Sequence, residues 1–171
     1  MKRIIAIAML LGALTSSAFA DDKKPDAKSL YDRLGGVGAI SVVVDEFINR
    51  LVVDDLLNKN PAINAGRKNS PAPYLKFQVA QLVCQATGGP CKYTGLPMKD
   101  SHAHLNITEK EWGVMAGEFK KSLDKYKVPA AEQKELFDIV GTTKADIVTK
   151  PQSMSMDDLN SEMESTKTAF L

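Results

Sequence analysis

Apolar positions fall in two unlike patterns along this chain. Ile4 to Leu14 form one uninterrupted apolar run, whereas from residue 29 onward apolar side chains recur between polar ones at steps of three and four. The second pattern is that of amphipathic helices, whose same-face neighbours lie three and four residues apart. Ile40, Val43, Val44, Phe47, Ile48 and Leu51 share one such stripe. Valine and isoleucine favour strands locally, but no alternation of period two accompanies them, so the stripe predicts helix. Before it, Ser29 with Asp32 three residues on caps a short helix that Gly35-Gly36 ends.

Pro61, Pro71 and Pro73 disfavour a long helix between Asn58 and Pro73, and a loop is predicted there. Helix resumes near Tyr74, with Leu75, Val79, Leu82, Val83 and Ala86 on one face, and Gly88-Gly89-Pro90 stops it. Thr108 and Glu111 have the spacing of a capping box ahead of a helix carrying Trp112, Met115, Ala116, Phe119 and Leu123 on its inner face. Val128-Pro129 breaks that helix. A last amphipathic helix presents Leu136, Ile139, Val140 and Ile147. The pattern predicts one all-α domain over residues 29–149.

The ends change the picture of where this domain works. Lys2 and Arg3, the apolar run and the small residues up to Ala18-Phe19-Ala20 have the order of an export signal over residues 1–20, and the run is too short to span a bilayer. Cleavage near Ala20 predicts a periplasmic or secreted protein, with no cysteine at the new end to take a lipid. Residues 21–28 are a charged leader predicted to be disordered. Residues 150–171, rich in Ser, Met, Asp and Glu, are predicted to be a loosely attached tail. The 22 basic and 21 acidic residues give +1, and losing Lys2 and Arg3 leaves 20 against 21, or −1. So small a charge gives no electrostatic case for nucleic acid. The roughly 150 remaining residues suffice for one domain with a core.

Candidate chemistry concentrates after the glycine-rich stop. His102 and His104 stand two residues apart, so on one helix they face about 200° apart. His102 shares its stripe with Met98 and Leu105, whereas His104 lies with Asp100, Ser101 and Thr108. Pro97 suits the first turn of this helix. An inward His102 is either a hydrogen-bonded core residue or a neutral imidazole offered to a metal. Cys84 and Cys91 flank the reversal, and in an exported chain such a pair favours a disulfide. The alternatives are two unpaired thiols or a zinc site of Cys84, Cys91, His102 and His104, whose spacing matches no common zinc pattern.

Several of these features occur together, in order, in one known family. Leu30-Tyr31-Asp32-Arg33-Leu34-Gly35-Gly36, Phe47, Gly88-Gly89-Pro90, Tyr93-Thr94-Gly95, Met98-Lys99 with His102, and Asn106-Ile107-Thr108 resemble the truncated haemoglobins, most closely their first group. The resemblance runs from Ser29 to about Val148. It implies two crossed helix pairs enclosing haem b, with His102 as the iron's proximal ligand. Met98, Leu105, Trp112, Met115 and Phe119 would line or support that side. Leu75, Val79, Leu82, Val83 and Phe47 would form much of the opposite wall, and Tyr93 would also meet the cofactor. A flat apolar macrocycle needs facing apolar stripes and one neutral nitrogen donor. Leu123 and Ile139 read better as ordinary core.

The chain departs from the family on the side opposite His102. The tyrosine that often follows the phenylalanine is Ile48 here, and a glutamine often found on the distal helix is Val79. Family aromatics are missing at Asn58-Lys59-Asn60-Pro61. A hydrogen bond to a charged group contributes about 1.5–3 kcal/mol, so tight oxygen binding is not implied. Gln78 borders the Leu75–Leu82 face, either reaching over the iron or standing solvated at the rim.

The function so implied is reversible binding of a diatomic gas (oxygen, nitric oxide or carbon monoxide), of the oxygen-carrier type. The alternatives are a haem enzyme, such as a nitric oxide dioxygenase or peroxidase with a redox partner, or a haem-free interaction domain stapled by a disulfide.

Overall fold

The computed structural model describes residues 28–149. The expected export signal, residues 21–27 of the expected leader and the expected tail from residue 150 lie outside the described residues. Within them run nine helices: α1 (Leu30–Arg33), α2 (Gly36–Val53), α3 (Asp55–Asn58), α4 (Pro61–Asn69), α5 (Ala72–Ala86), α6 (Met98–His102), α7 (Glu109–Lys125), α8 (Ala130–Thr142) and α9 (Lys144–Ile147). The only extended pairing among the described residues is one isolated bridge between Ile107 and Val148. The all-α class is as predicted.

The end signals work as the sequence suggested. Ser29 Oγ accepts from the Asp32 amide, opening α1. Thr108 and Glu111 form the full reciprocal capping box on α7. Three boundaries differ. The segment predicted as a loop holds α4, because Pro61 occupies its first position, where a missing N–H costs no helical bond. The Asn60 side chain accepts from the amides of Ala62 and Ile63, completing the cap. Helix α5 likewise starts at Ala72, with Pro73 in its first turn. The last predicted helix is instead broken at Thr143. The hydroxyl of Thr143 donates to the Val140 carbonyl at 2.8 Å, a local bond of the kind that competes with helix continuation. Ile147 therefore sits on the separate turn α9.

Helix α2 is the organising element, packed against α5 on one side and α7 on another. Phe47 of α2 meets Phe119 of α7 edge-to-face at 5.2 Å between ring centres, and Phe119 meets Phe137 of α8 at 5.3 Å. Edge-to-face pairs align the positive ring edge with the negative face of the neighbour. Leu123 and Leu136 complete that core. Arg67 of α4 donates to the carbonyls of Leu51 at 2.8 Å and Val52 at 3.4 Å, and to Asn58, satisfying free carbonyls at the end of α2. Asn60 Nδ2 donates to Glu111 Oε1 at 2.8 Å and to the Leu105 carbonyl at 3.0 Å, joining the starts of α4 and α7 to the turn behind α6.

Candidate functional site

The site grows from the reversal at the end of α5. Gly88 has φ +88°, a left-handed conformation that a side chain would strain. The Gly89 amide donates to the Cys84 carbonyl at 2.8 Å, and a Cβ on Gly89 would overlap the Tyr31 ring and lie 2.7 Å from the Cys84 carbonyl oxygen and sulfur. Cys84, fully buried, is disulfide-bonded to Cys91 with their Cα atoms 5.7 Å apart. Directly after Cys84, Gln85 Oε1 accepts from the Tyr93 amide at 2.7 Å, and the Tyr93 hydroxyl donates to the Leu96 carbonyl at 2.8 Å. Burial, and secondarily the neighbouring Tyr74, push the Tyr93 phenol above its ordinary pKa. The loop into α6 is thus fastened to α5 at several points.

On α6, His102 Nδ1 lies 2.9 Å from the Met98 carbonyl oxygen and 2.9 Å from Ser101 Oγ. A carbonyl only accepts, so Nδ1 carries the proton and donates. The Nε2 lone pair is then left free, and Nε2 makes no hydrogen bond among the described residues. Burial holds His102 below the ordinary imidazole pKa; the bond to Met98 opposes this and His104 adds to it. The ring is therefore a neutral donor with its tautomer fixed by the backbone, the preparation a metal-binding imidazole needs. His104 is exposed as predicted, but α6 ends at His102, so His104 stands in the turn beyond it rather than on the same helix.

The remaining expected residues fall into separate apolar clusters. Leu75, Val79 and Val83 of α5 pack with Phe47 around Ile40, Val44, Ile48 and Ala80. Met98 and Met115 pack with Leu105 around Ile107, Trp112 and Ile147. Leu82 is half-buried. Phe119 belongs with Leu123 and Ile139 to the core proper, not to the cluster around Trp112. Gln78 is partly exposed, but its Oε1 is enclosed and has no hydrogen-bond partner among the described residues. The zinc alternative fails, since the disulfide takes both thiols and no three His, Cys, Asp or Glu side chains converge among the described residues.

Sequence reasoning missed Arg67, the Asn60–Glu111 link and the Gln85 anchor. Asn60 ahead of Pro61 is a readable N-cap signal. Arg67 and Gln85 reach partners distant in sequence, and no local signal marks them.

Residues 29–149 match the family model of the bacterial-like globins. The chain belongs to this family. It is 32% identical over 128 residues to a group 1 truncated haemoglobin of Mycolicibacterium paratuberculosis, covering 74% of this chain and 89% of that protein. Another, from Nostoc commune, is 30% identical over 122 residues, covering 71% and 98%. Among solved structures, the truncated haemoglobin of Tetrahymena pyriformis superposes with a TM-score of 0.63 at 21% identity, covering 72% of this chain and all of that one. The 2/2 haemoglobin of a Synechococcus species, solved in the cyanomet state with covalently attached haem, gives 0.62 at 22% identity, again over 72% of this chain and all of that one. The fold is that of the two-over-two globins, and the protein is a haem-binding globin of this truncated type.

Proposed function

We propose that the chain holds haem b between the α5 face and the α6–α7 face, with His102 as its protein ligand to iron, and reversibly binds a diatomic gas. The observation that carries this is the His102 ring, neutral and oriented through Nδ1, with Nε2 uncommitted. Bound haem supplies an iron centre that takes oxygen, nitric oxide or carbon monoxide. The chain's own residues do the rest. Met98 and Ser101 fix the imidazole plane, while Trp112, Met115 and Met98 cover one side with apolar surface. Phe47, Leu75, Val79, Leu82 and Val83 exclude water on the other, and Tyr93 closes the edge beside Tyr74. Export to an oxidising compartment is part of the same proposal, supported by the Cys84–Cys91 disulfide.

The test is spectroscopic. Purified protein given haem is expected to show an intense Soret band, and carbon monoxide to shift the band of the reduced form. His102→Ala is expected to abolish stable incorporation. A folded wild-type chain that leaves haem free in solution, or a variant that holds it equally well, refutes the assignment.

A further inference from the structure

We propose that the chain carries a second binding site, an apolar cleft between the first half of α2 and the α7–α8 turn, which takes the single acyl chain of a fatty-acid-like carboxylate. The site is separate from the one above. Of the side chains that line the cleft, only Val83 is also placed on the cofactor wall.

The cleft has a volume of 280 Å³. Its sides are built from short residues: Ala39, Val42 and Val43 of α2, Val83 of α5 and Val128 after α7. Leu123 and Leu136, both buried, close it from behind. At 100° per residue the three α2 positions span about 100°, beside the Ile40–Val44–Ile48 face that packs with α5. A core packed only against itself would fill such a space with larger side chains. One turn further along α2 the same side becomes polar. There Glu46 pairs with Lys125 at 2.6 Å and Arg50 with Glu118 at 3.4 Å, so the cleft is shut toward the end of α2.

The rim is amphipathic and carries one sign of charge. Val42 is 49% and Tyr126 41% exposed. The Val128 amide donates to the Leu123 carbonyl at 3.0 Å, and Lys127 takes the left-handed conformation that ends α7, with φ +53°. This turn holds Tyr126 and Val128 on the cleft with Lys127 between them. The carboxylates of the bordering helices are engaged: Glu46 by Arg50 and Lys125, Asp124 by Lys120, and Glu132 and Glu135 by Arg33. Lys127 is exposed and makes no ion pair among the described residues. An ammonium at the rim and apolar surface within match an anionic head on an apolar tail. The volume lies just under the roughly 300–1,000 Å³ of pockets that enclose whole small molecules, which suits one medium acyl chain better than a flat macrocycle.

The experiment is calorimetric titration of the haem-loaded protein with decanoate below its micelle concentration. One saturable site is expected, with no movement of the Soret band. Octanoate should bind about 15-fold more weakly, because each methylene withdrawn from water changes affinity about fourfold. Lys127→Glu should weaken decanoate about 5-fold, replacing attraction by repulsion at an exposed position. Val43→Phe, inside the cleft, and Val42→Trp, at its exposed rim, should each abolish binding while far-ultraviolet circular dichroism stays unchanged; Val42→Trp decides the matter if Val43→Phe does not fold. Absence of saturable binding, equal affinity for octanoate and decanoate, or unchanged binding in Val42→Trp or Lys127→Glu overturns the proposal. So does binding only to decanoate micelles or to phosphatidylglycerol vesicles, and so does a decanoate complex that shifts the Soret band, since the chain then occupies the cofactor slot. A wild-type protein without a Soret band overturns the haem reading alone, and the same variants then decide this site in haem-free protein.

Discussion

Replacing Cys91 with alanine removes the bridge that ties the end of α5 to the loop before α6. The magnitude follows from the size of the loop it closes. The cysteines are separated by seven positions, and Cys91 is only partly buried, so alanine there leaves no cavity in the core. Closing so short a loop removes roughly 8 cal/mol/K of entropy from the unfolded chain, or about 2.5 kcal/mol at 25 °C. For a domain of about 120 residues the entropy of unfolding is about 0.25 kcal/mol/K, so the midpoint of thermal unfolding should fall by about 10 °C. Cys84→Ala should cost more, because Cys84 is fully buried and its loss adds a cavity. The assay is thermal melting followed by circular dichroism, with and without a dithiol reductant. Reductant should bring wild type down to the Cys91→Ala midpoint and leave the variant unmoved. Two reactive thiols in the unreduced wild-type protein, or an equal effect of reductant on both proteins, would refute the reasoning.

Two further substitutions, with a third as control, probe the supports of the site. The Glu111 carboxylate receives hydrogen bonds from the Thr108 amide, the Thr108 hydroxyl and Asn60, each at 2.8 Å. Burial pushes its pKa up, but these donors together outweigh burial and hold it below the ordinary glutamate value. A depressed carboxylate contributes fully above its unfolded-state pKa, and the contribution is lost as pH falls through the folded-state value. Glu111→Gln should therefore cost about 1–3 kcal/mol in urea unfolding at neutral pH, with the gap closing in acid below the ordinary glutamate range; a constant gap would contradict the assignment. Gly89→Ala forces a Cβ into Tyr31 and Cys84 and should cost about 1–3 kcal/mol, whereas Gly113→Ala, with open space around it inside α7, should stabilise by about 0.4–1 kcal/mol. Equal melting temperatures for the two glycine variants would show that the reversal is not tightly packed.

The parts of the fold legible in the sequence were those decided within one or two helical turns. The Ser29 and Thr108 caps and the stripe on α2 follow from local spacing, and so does the contrast between a half-buried His102 and an exposed His104. Helix α4 was obscured because three prolines in thirteen residues read as interruption, although Pro61 and Pro73 both occupy first turns, where proline is tolerated. The break at Thr143 escaped because the apolar period runs through it and only a side-chain bond to Val140 decides against helix. Gln78 could not be settled from periodicity. Its angle on the wheel lies at the margin of the apolar face, and only the surroundings of its amide distinguish a solvated residue from an enclosed one.

Several apolar side chains proposed to face the cofactor are less buried than their neighbours on the same helix. On α5, Ala80 and Cys84 are buried, while Leu75, Val79, Leu82 and Val83 remain half-buried although they are as apolar or more so. On α7, Phe119 and Leu123 are buried, yet Met115 is half-buried, as is Met98 on α6. Burying apolar surface contributes roughly 25 cal/mol per Å², so a chain selected only for its own packing gains by closing such faces on one another. Here they stay in separate clusters on α2 with α5 and on α6 with α7, and the imidazole of His102 keeps its Nε2 uncommitted on the α6 side. Incompletely covered apolar faces on separate helices, joined to a single oriented nitrogen donor, are what a flat, apolar, metal-centred ligand requires and what an ordinary helical core would eliminate.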